Sequence, residues 1–492
     1  MQMNPVQYLN GPRRTLRIIL TGLFEVDLRG LAVFRIVLGL LLICDLLMRL
    51  PGLPLFYTDT GALPRSLAIY HLGSMVGLSA HLMSGELWFQ GALFLTAFLF
   101  GGFLVFGYKA RMAAFVSWFL FISVCSRNPQ VLNYGDSLLG MLLLWSSFLP
   151  IGRYYSIGDR RGEGGSGPKP VILSVASAAL LLQVVIMYWV TAFLKTGPEW
   201  PTGDALYYAL HLDFLTTPAG RWLLDFPGLL KVLTHASLIL EYVGPLLLLY
   251  PFGSRTVRLL GVIGFTMLHL GIAGTMRIGL FPFIDIAALI PFIPTVVWDR
   301  LTGREAGPSV HRQGAAVVSP MRPWLSGCAA GILLAYISWW ALGNLQPRWR
   351  MPAEIKAIGS VFRLQQRWTM FAPSPARSDA WCIVAAELDD GSVIDLLQQG
   401  RLVSWEKPND LSASFESFRH RQYIMHLNQK NCPKPLLARY CAVQRLKWDP
   451  RITATGRKLL NIKLYFMIEK ALPGNVSTPA KKRHLWTLEC SK

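Results

Sequence analysis

Acidic side chains are scarce in this chain, and so is charge of any sign. Asp and Glu number 28 against 48 Lys and Arg, and the four types together make 15% of 492 residues, while 52% are apolar. That leaves too little polar surface to coat a water-soluble core of this size, which excludes an ordinary soluble globular protein. No Walker loop, no Gly-rich dinucleotide fingerprint and no zinc-spaced Cys/His cluster occurs, so the motifs point to neither nucleotide nor metal chemistry. Only nine histidines are present, and none forms the opposed pair that would suggest haem. The N-terminal stretch MQMNPVQYLNGPRRTLRIILTG lacks a compact apolar core followed by a small-residue cleavage site, so no cleaved signal peptide is expected.

What the chain has instead is length of apolar run. Stretches of about 20 residues, each able to cross a bilayer of about 30 Å, recur at 29–50, 87–107, 111–126, 136–151, 171–194, 232–251, 256–275, 279–298 and 323–343. The expected fold is therefore an all-α polytopic membrane bundle of about nine transmembrane helices. The more broken stretch at 66–83 is expected to lie in the interface. The net charge of +20 does not indicate nucleic acid, because the basic residues sit in short loops between apolar runs, where they set topology. Arg13, Arg14, Arg17, Lys109, Arg111, Arg153, Arg160, Arg161, Lys169, Arg255, Arg258, Arg300, Arg304, Arg312 and Arg322 fall on one side. Arg65, Arg127 and Arg277 are the main ones on the other. The positive-inside rule then places the N-terminus in the cytoplasm of a multi-pass inner-membrane protein, with 158–170 as a flexible cytoplasmic linker. An odd number of spans puts everything after about 345 outside.

That last part reads differently. WCIVAAELDDGSVIDLLQQG predicts a β-hairpin with an Asp-Gly turn, RITATGRKLLNIKLYFMIEKAL predicts strands with a turn at Gly456, and DLSASFESFRHRQYIMHLNQKN predicts a helix capped at Asp410 or Ser412. The expected organisation is a cytoplasmic segment 1–28, a transmembrane domain 29–344 and a small α+β extracytoplasmic domain 345–492. Cys382, Cys432, Cys441 and Cys490 all fall in this last part; an even number facing an oxidising compartment permits disulfides, free thiols being the alternative.

Ionisable residues inside apolar spans are functional candidates by default. Arg35 and Asp45 lie in the first span, too far apart to pair, and Asp45 could pair with Arg49 one helical turn on. Asp136 opens the fourth span, Glu241 sits mid-span with His235 before it, and His269 lies near the outer end of the seventh, flanked by Arg277 and Asp285. On the expected topology Asp45, Asp136, Lys195, His235, His269 and Arg277 share the outer half of the bilayer, with Glu241 deeper. This suggests an outward-opening polar cavity. Each residue also has a plain structural reading, as an interhelical pair or an interfacial side chain. Lys195, in AFLKTGPEW, ends an uncharged run at a Gly-Pro break. Desolvation at the mouth of an apolar cavity disfavours the ammonium form and equips a lysine as a general base, whereas a snorkelling lysine keeps its charge among headgroups. The segment EWPTGDALYYALHLDFL could return over the cavity as a lid.

Several motifs occurring in order carry a resemblance. LKTGPEW is similar to the segment holding the base lysine of vitamin K-dependent gamma-carboxylases and of the bacterial HTTM (horizontally transferred transmembrane) family that shares their fold. FRIVLGLLLICDLLMR, FYTDTGALPR, LNYGDSLLGMLLLWSSFLPIGR, LHLGIAGTMRIGLFPF and RWTMFAPSPARSDAWCIVAAELDDGS resemble further family segments. The resemblance spans about 28–400. It implies Lys195 as a catalytic base acting on a reduced quinone, such as a menaquinone or vitamin K-like molecule, with O2 and CO2 as co-substrates in a lyase-class carboxylation. It also implies His269 as a cavity residue, and Asp136 and His269 would position substrate or relay protons. Trp200 could stack on a quinone ring or anchor in the interfacial aromatic belt. Leu194 stands where the carboxylases carry a second lysine, their histidine at the start of the fourth span is absent, and their large C-terminal substrate-holding part is much reduced. A non-enzymatic scaffold or a transporter using the same cavity is the alternative, and the lipid bilayer is the one partner expected on either reading; a protein or lipid substrate is left open.

Overall fold

The computed structural model describes residues 12–73, 78–157, 171–251, 255–303, 323–474 and 476–490. The expected linker 158–170 and the loop arginines Arg304, Arg312 and Arg322 lie outside the described residues. The chain is mostly helical: α1 (Pro12–Phe24), α2 (Leu28–Arg49), α3 (Leu87–Phe106), α4 (Ala110–Arg127), α5 (Tyr134–Phe148), α6 (Val175–Leu194), α7 (Pro227–Leu248), α8 (Arg255–Thr275), α9 (Phe281–Leu289) and α10 (Pro323–Leu345). Short helices at Glu199–Thr202, Ala205–Leu210 and Pro218–Leu223 connect α6 to α7.

Among the described residues, seven helices are long and apolar enough to cross a membrane, or eight if a bent pair counts as one span. Two of the nine expected spans account for the difference. Helix α5 has only 15 residues, which at 1.5 Å per residue reach about 22 Å, short of a bilayer core. The stretch expected at 279–298 breaks into Phe281–Phe292 and Thr295–Leu301, bent by 94°. Pro291 and Pro294 supply the break, since neither ring carries an N–H for the helix ladder. The described residues of the stretch 66–83 form part of the short helix Arg65–Leu72 and a 3-10 turn at Ala80–Leu82.

Local sequence explains several starts and stops. Asn133 accepts a hydrogen bond from Asp136 N while Asp136 Oδ2 accepts one from Asn133 N at 2.7 Å, a reciprocal cap that opens α5. Helix α3 closes at Gly107, whose φ of +76° is left-handed and whose missing side chain leaves room for the guanidinium of Arg35. Arg35 donates from there to the carbonyls of Tyr155 at 2.5 Å and Ile151 at 3.3 Å, so it binds backbone and has no acidic partner among the described residues.

After α10 come α11 (Ala353–Val361) and a small α+β region with helices α12 (Phe418–Leu427) and α13 (Lys434–Thr453). Its sheet contains β3 (Ser378–Leu388), β4 (Val393–Asp395), β5 (Arg401–Leu402), β6 (Leu459–Leu472), β7 (Val476–Ser477) and β8 (Lys481–Glu489); the pair β1 (Val26–Asp27) and β2 (Val171–Ile172) is separate. The order is β5-β4-β3-β6-β7, with β8 also on β6. The Asp-Gly hairpin joins β3 to β4, antiparallel, with Gly391 at φ +78°. The helix expected from 410 starts later, capped by Ser417, and residues expected to begin a strand at 451 finish α13 before the chain turns at Gly456. One buried apolar cluster contains Leu31 and Phe34 of α2 together with Val384, Tyr440 and Phe466, so the core is continuous from bundle to sheet. All seven cysteines are unbridged, which overturns the disulfides permitted for Cys382, Cys432, Cys441 and Cys490. Cys382 and Cys441 are instead packed into that core as small apolar groups.

His420 gives this region a pH response. Its Nδ1 accepts from the backbone N–H of Glu416 at 3.3 Å and its Nε2 lies 3.2 Å from the Tyr440 hydroxyl. Burial pushes the imidazole down to about 4, with Glu416 opposing and Lys447 assisting. Unfolded, it titrates near 6.5, so the stability it confers is complete above that value and is lost as pH falls towards 4. The loss amounts to up to about 3 kcal/mol. Asp395, pushed up to about 6 by burial, acts with the opposite sign, its contribution being lost as pH rises through 6. Thermal unfolding of wild type and His420→Gln at pH 4 to 7 separates the two. The difference between the curves should shrink towards pH 4, and a difference independent of pH would show that His420 binds its proton equally well folded and unfolded.

Candidate functional site

Lys195 caps the C-terminus of α6, where the helix stops because Thr196, Gly197 and Pro198 turn the chain. Gly197 is required there by close approach. A Cβ would overlap Ser374 Oγ and sit 2.8 Å from the carbonyl of Pro373, which accepts the Gly197 N–H at 2.9 Å. Two motifs distant in sequence thus interlock. Arg377 binds Glu199 at 2.6 Å, and the Trp200 indole N–H donates to the carbonyl of Phe371 at 3.3 Å. Gly197→Ala is expected to destabilise the protein by about 1–3 kcal/mol through overpacking. A thermal shift in detergent measures it, and an unchanged midpoint would show that the 371–377 loop is free to move away.

From this corner the Lys195 side chain runs into a cavity of about 1410 Å³. Leu132, Tyr134, Met187, Tyr188, Leu240 and Met267 are among the apolar and aromatic side chains of its wall. Lys195 Nζ lies 2.6 Å from Glu241 Oε1 and 2.5 Å from Oε2, and 4.4 Å from the centre of the Trp200 ring. Lys195 and Glu241 are each 8% exposed. Lys195 therefore has a bidentate carboxylate partner and an aromatic face. The reason is sterically simple: α7 crosses α6 where Glu241 and Lys195 meet, 46 residues apart in sequence.

His269 lines the same cavity from α8. Its Nε2 is 2.9 Å from the Tyr188 hydroxyl and 3.9 Å from Asp285 Oδ1, while Tyr188 stacks on Phe265 at 3.9 Å between centres. His269 Nδ1 and both oxygens of the fully buried Asp285 have no hydrogen-bond partner among the described residues. Tyr188 and Asp285 were not among the expected site residues. Asp285 carried the signal of any acid in an apolar run, whereas a tyrosine inside a span carries none.

Three expected cavity residues lie elsewhere. Asp45 and Asp136 do not line this cavity but form a buried cluster of four charges with Arg49 and Arg419. Arg49 reaches Asp45 at 2.6 Å and Asp136 at 2.5 Å; Arg419 reaches Asp45 at 2.5 Å and Asp136 at 2.7 Å. Helix α12 thereby docks on the ends of α2 and α5. His235 is exposed on α7, its Nε2 3.1 Å from the Pro201 carbonyl. Trp200 is buried under Lys195 and so is no anchor in an interfacial belt. The short helices Glu199–Thr202 and Ala205–Leu210, from the segment read as a lid, contribute Trp200, Ala205, Leu206 and Ala209 to the cavity wall.

The bundle, the cavity and the ordered motifs agree with the one comparison that matches. No curated protein and no solved structure matches the chain. The HTTM domain family model matches residues 24–298, more than half of the 492 residues and every helix from α2 to α9. The chain is an integral-membrane protein that belongs to the HTTM domain family.

Proposed function

We propose that this cavity binds a reduced quinone from the bilayer and that the Lys195–Glu241 pair moves its hydroxyl proton. The observation that carries the reading is the bidentate pair itself, set in an otherwise mostly apolar wall. The residues fit such a molecule. The cavity exceeds the roughly 300–1,000 Å³ of ordinary small-molecule sites, which suits a ring with a long apolar tail. Asp285 and His269 Nδ1 are orphaned acceptors or donors at its wall that a ring hydroxyl can satisfy. A bound quinol supplies two electrons and a hydroxyl that becomes reactive towards oxygen once deprotonated.

The protein's part is proton handling. In a poorly solvated wall, two charges are expensive and a neutral pair competes with the ion pair. With the pair's own proton on Glu241, Lys195 Nζ offers a lone pair that takes the hydroxyl proton; the pair then holds two protons, as ammonium and carboxylic acid, and is reset when one is released to water. Trp200 keeps Nζ from swinging away. Lys195 is the catalytic residue on this reading, Glu241 its proton partner, and Tyr188 orients His269. Carbon dioxide transfer to a protein or lipid acceptor is the finer, carboxylase-like form of the same proposal. We place the cavity on the extracytoplasmic side of a bacterial-type inner membrane, with a cytoplasmic N-terminus and a domain boundary at 345. In support, Lys195, Asp45, Asp136 and the C-terminal helix α12 gather at one end of the bundle, while Arg35 marks the other.

Purified protein in detergent, given reduced menaquinone under air, should consume quinol faster than buffer does. Lys195→Ala should abolish the excess while melting as wild type does in the presence of its partner change Glu241→Leu. Isotope-labelled bicarbonate tests carbon transfer. Equal quinol consumption by wild type, variant and buffer would reject the enzyme and leave a scaffold or transporter that uses the cavity.

A further inference from the structure

Four cations line the same cavity without a partner. Arg350, Lys356, Arg363 and Arg367 all come from the segment that follows α10, and all four contribute to the cavity wall. Among the described residues, none of the four side chains has a carboxylate within ion-pair distance or a hydrogen-bond acceptor. The interior arginines behave otherwise. Arg29, Arg35, Arg49 and Arg419 are each bound by carboxylates or carbonyls. These four cations, by contrast, line the cavity with no such partner among the described residues. Arg350 and Arg367 are exposed while Lys356 and Arg363 are half-buried, which describes a rim above the more deeply buried Lys195 and Glu241.

Arg363 adds an independent observation. It follows α11 at a φ of +51°, the left-handed position that ends a helix, with the Leu364 N–H bonded to Gly359 O at 2.8 Å. Glycine is the favoured residue there, because a Cβ in this conformation is strained. An arginine held at that position lines the wall between this cavity and a small adjoining pocket beside Cys125 and Asp136. The charge pattern sorts the cavity along its depth. Among the described residues its carboxylates are Glu241, already paired, and Asp285, fully buried. The rim carries the uncompensated positive charge, and the deeper wall is mostly apolar apart from the Lys195–Glu241 pair, His269 and Asp285.

We propose that the cavity takes an amphiphile with a phosphate head, an anionic phospholipid or lipid phosphate, whose head is held by Arg350, Lys356, Arg363 and Arg367 and whose tail enters the apolar interior. Guanidiniums bind phosphate through paired, charge-assisted hydrogen bonds, a geometry that a merely snorkelling cation does not impose. The proposal names a ligand class for the site described above but does not rest on proton transfer by Lys195.

Binding of a fluorescent acyl-labelled phosphatidic acid and of the same label on phosphatidylcholine is measured with the full-length protein in detergent. The phosphatidic acid is expected to bind at least about tenfold more tightly. Arg363→Gly should weaken that preference about threefold or more while melting no lower than wild type, because glycine suits the left-handed position. The double variant Arg350→Gln/Arg367→Gln should weaken it further. Equal binding of the two lipids, or a preference that survives all these substitutions, overturns the proposal. Inorganic phosphate displacing the probe at concentrations matching those of unlabelled phosphatidic acid assigns the rim to free phosphate and overturns the lipid assignment. Quinol consumption is followed in the same preparation, so selective lipid binding without it rejects only the proton-transfer reading.

Discussion

Glu241→Ala is expected to cost the protein about 3–5 kcal/mol of stability, because it leaves the Lys195 ammonium buried with only the Trp200 face for company. The magnitude follows from burial. Both partners are 8% exposed and all the close polar contacts of Nζ go to this one carboxylate. The double variant Lys195→Met/Glu241→Leu should recover most of the loss, since apolar replacements of similar volume carry no desolvation penalty. Quinol consumption should be absent from both. Melting in detergent and a quinol assay on the same samples separate the two effects. A Glu241→Ala protein as stable as wild type would mean that water reaches Nζ, and the pair would then lose its claim to a dry proton-transfer site.

Arg419→Ala should have a comparable effect on stability and a different effect on structure. The Arg419 guanidinium spans Asp45 and Asp136 and also donates to the Val131 carbonyl at 2.9 Å. Its removal leaves two buried carboxylates sharing Arg49 alone, a loss of about 3–5 kcal/mol. Because Arg419 belongs to α12, the same change loosens the C-terminal region from the bundle. Limited proteolysis should cut between α10 and β3 faster than in wild type. Arg419→Lys should rescue poorly, since an ammonium cannot fork across two carboxylates as a guanidinium does. The wild-type cluster should also resist salt, being too deeply buried for mobile ions to screen. Proteolysis unchanged in Arg419→Ala would show that apolar packing alone holds the two parts together.

Much of the membrane fold was legible because its cause is local. A run of apolar residues has one stable outcome in a bilayer, so the spans at α2, α3, α6, α7, α8 and α10 could be read from composition. The Asn133–Asp136 cap and the hairpin at Gly391 are likewise decided by near neighbours. The errors arose where length or proline decides. Helix α5 is too short to span, and Pro291 and Pro294 break the next apolar stretch, so that nine expected spans become seven or eight. The permitted disulfides are not formed, and Cys382 and Cys441 are buried as free thiols in the continuous core.

The site divides along the same line. By itself the sequence determined which ionisable groups lie in apolar surroundings and that Lys195 ends its helix at a glycine break, because these depend on residues adjacent in the chain. Only the tertiary structure decided their partners. Glu241 meets Lys195 across 46 positions, and Arg419 meets Asp136 across 283. No periodicity encodes such meetings, and the bilayer depth that Asp45, Asp136 and Lys195 are expected to share does not say which face of a helix a side chain occupies. Helix packing turned two of these acids into a structural clamp and placed the third charge, with Glu241 and Trp200, in the cavity. Buried charge is stable only when paired, so the choice of partner, made by the fold, is what separates a clamp from a candidate active site.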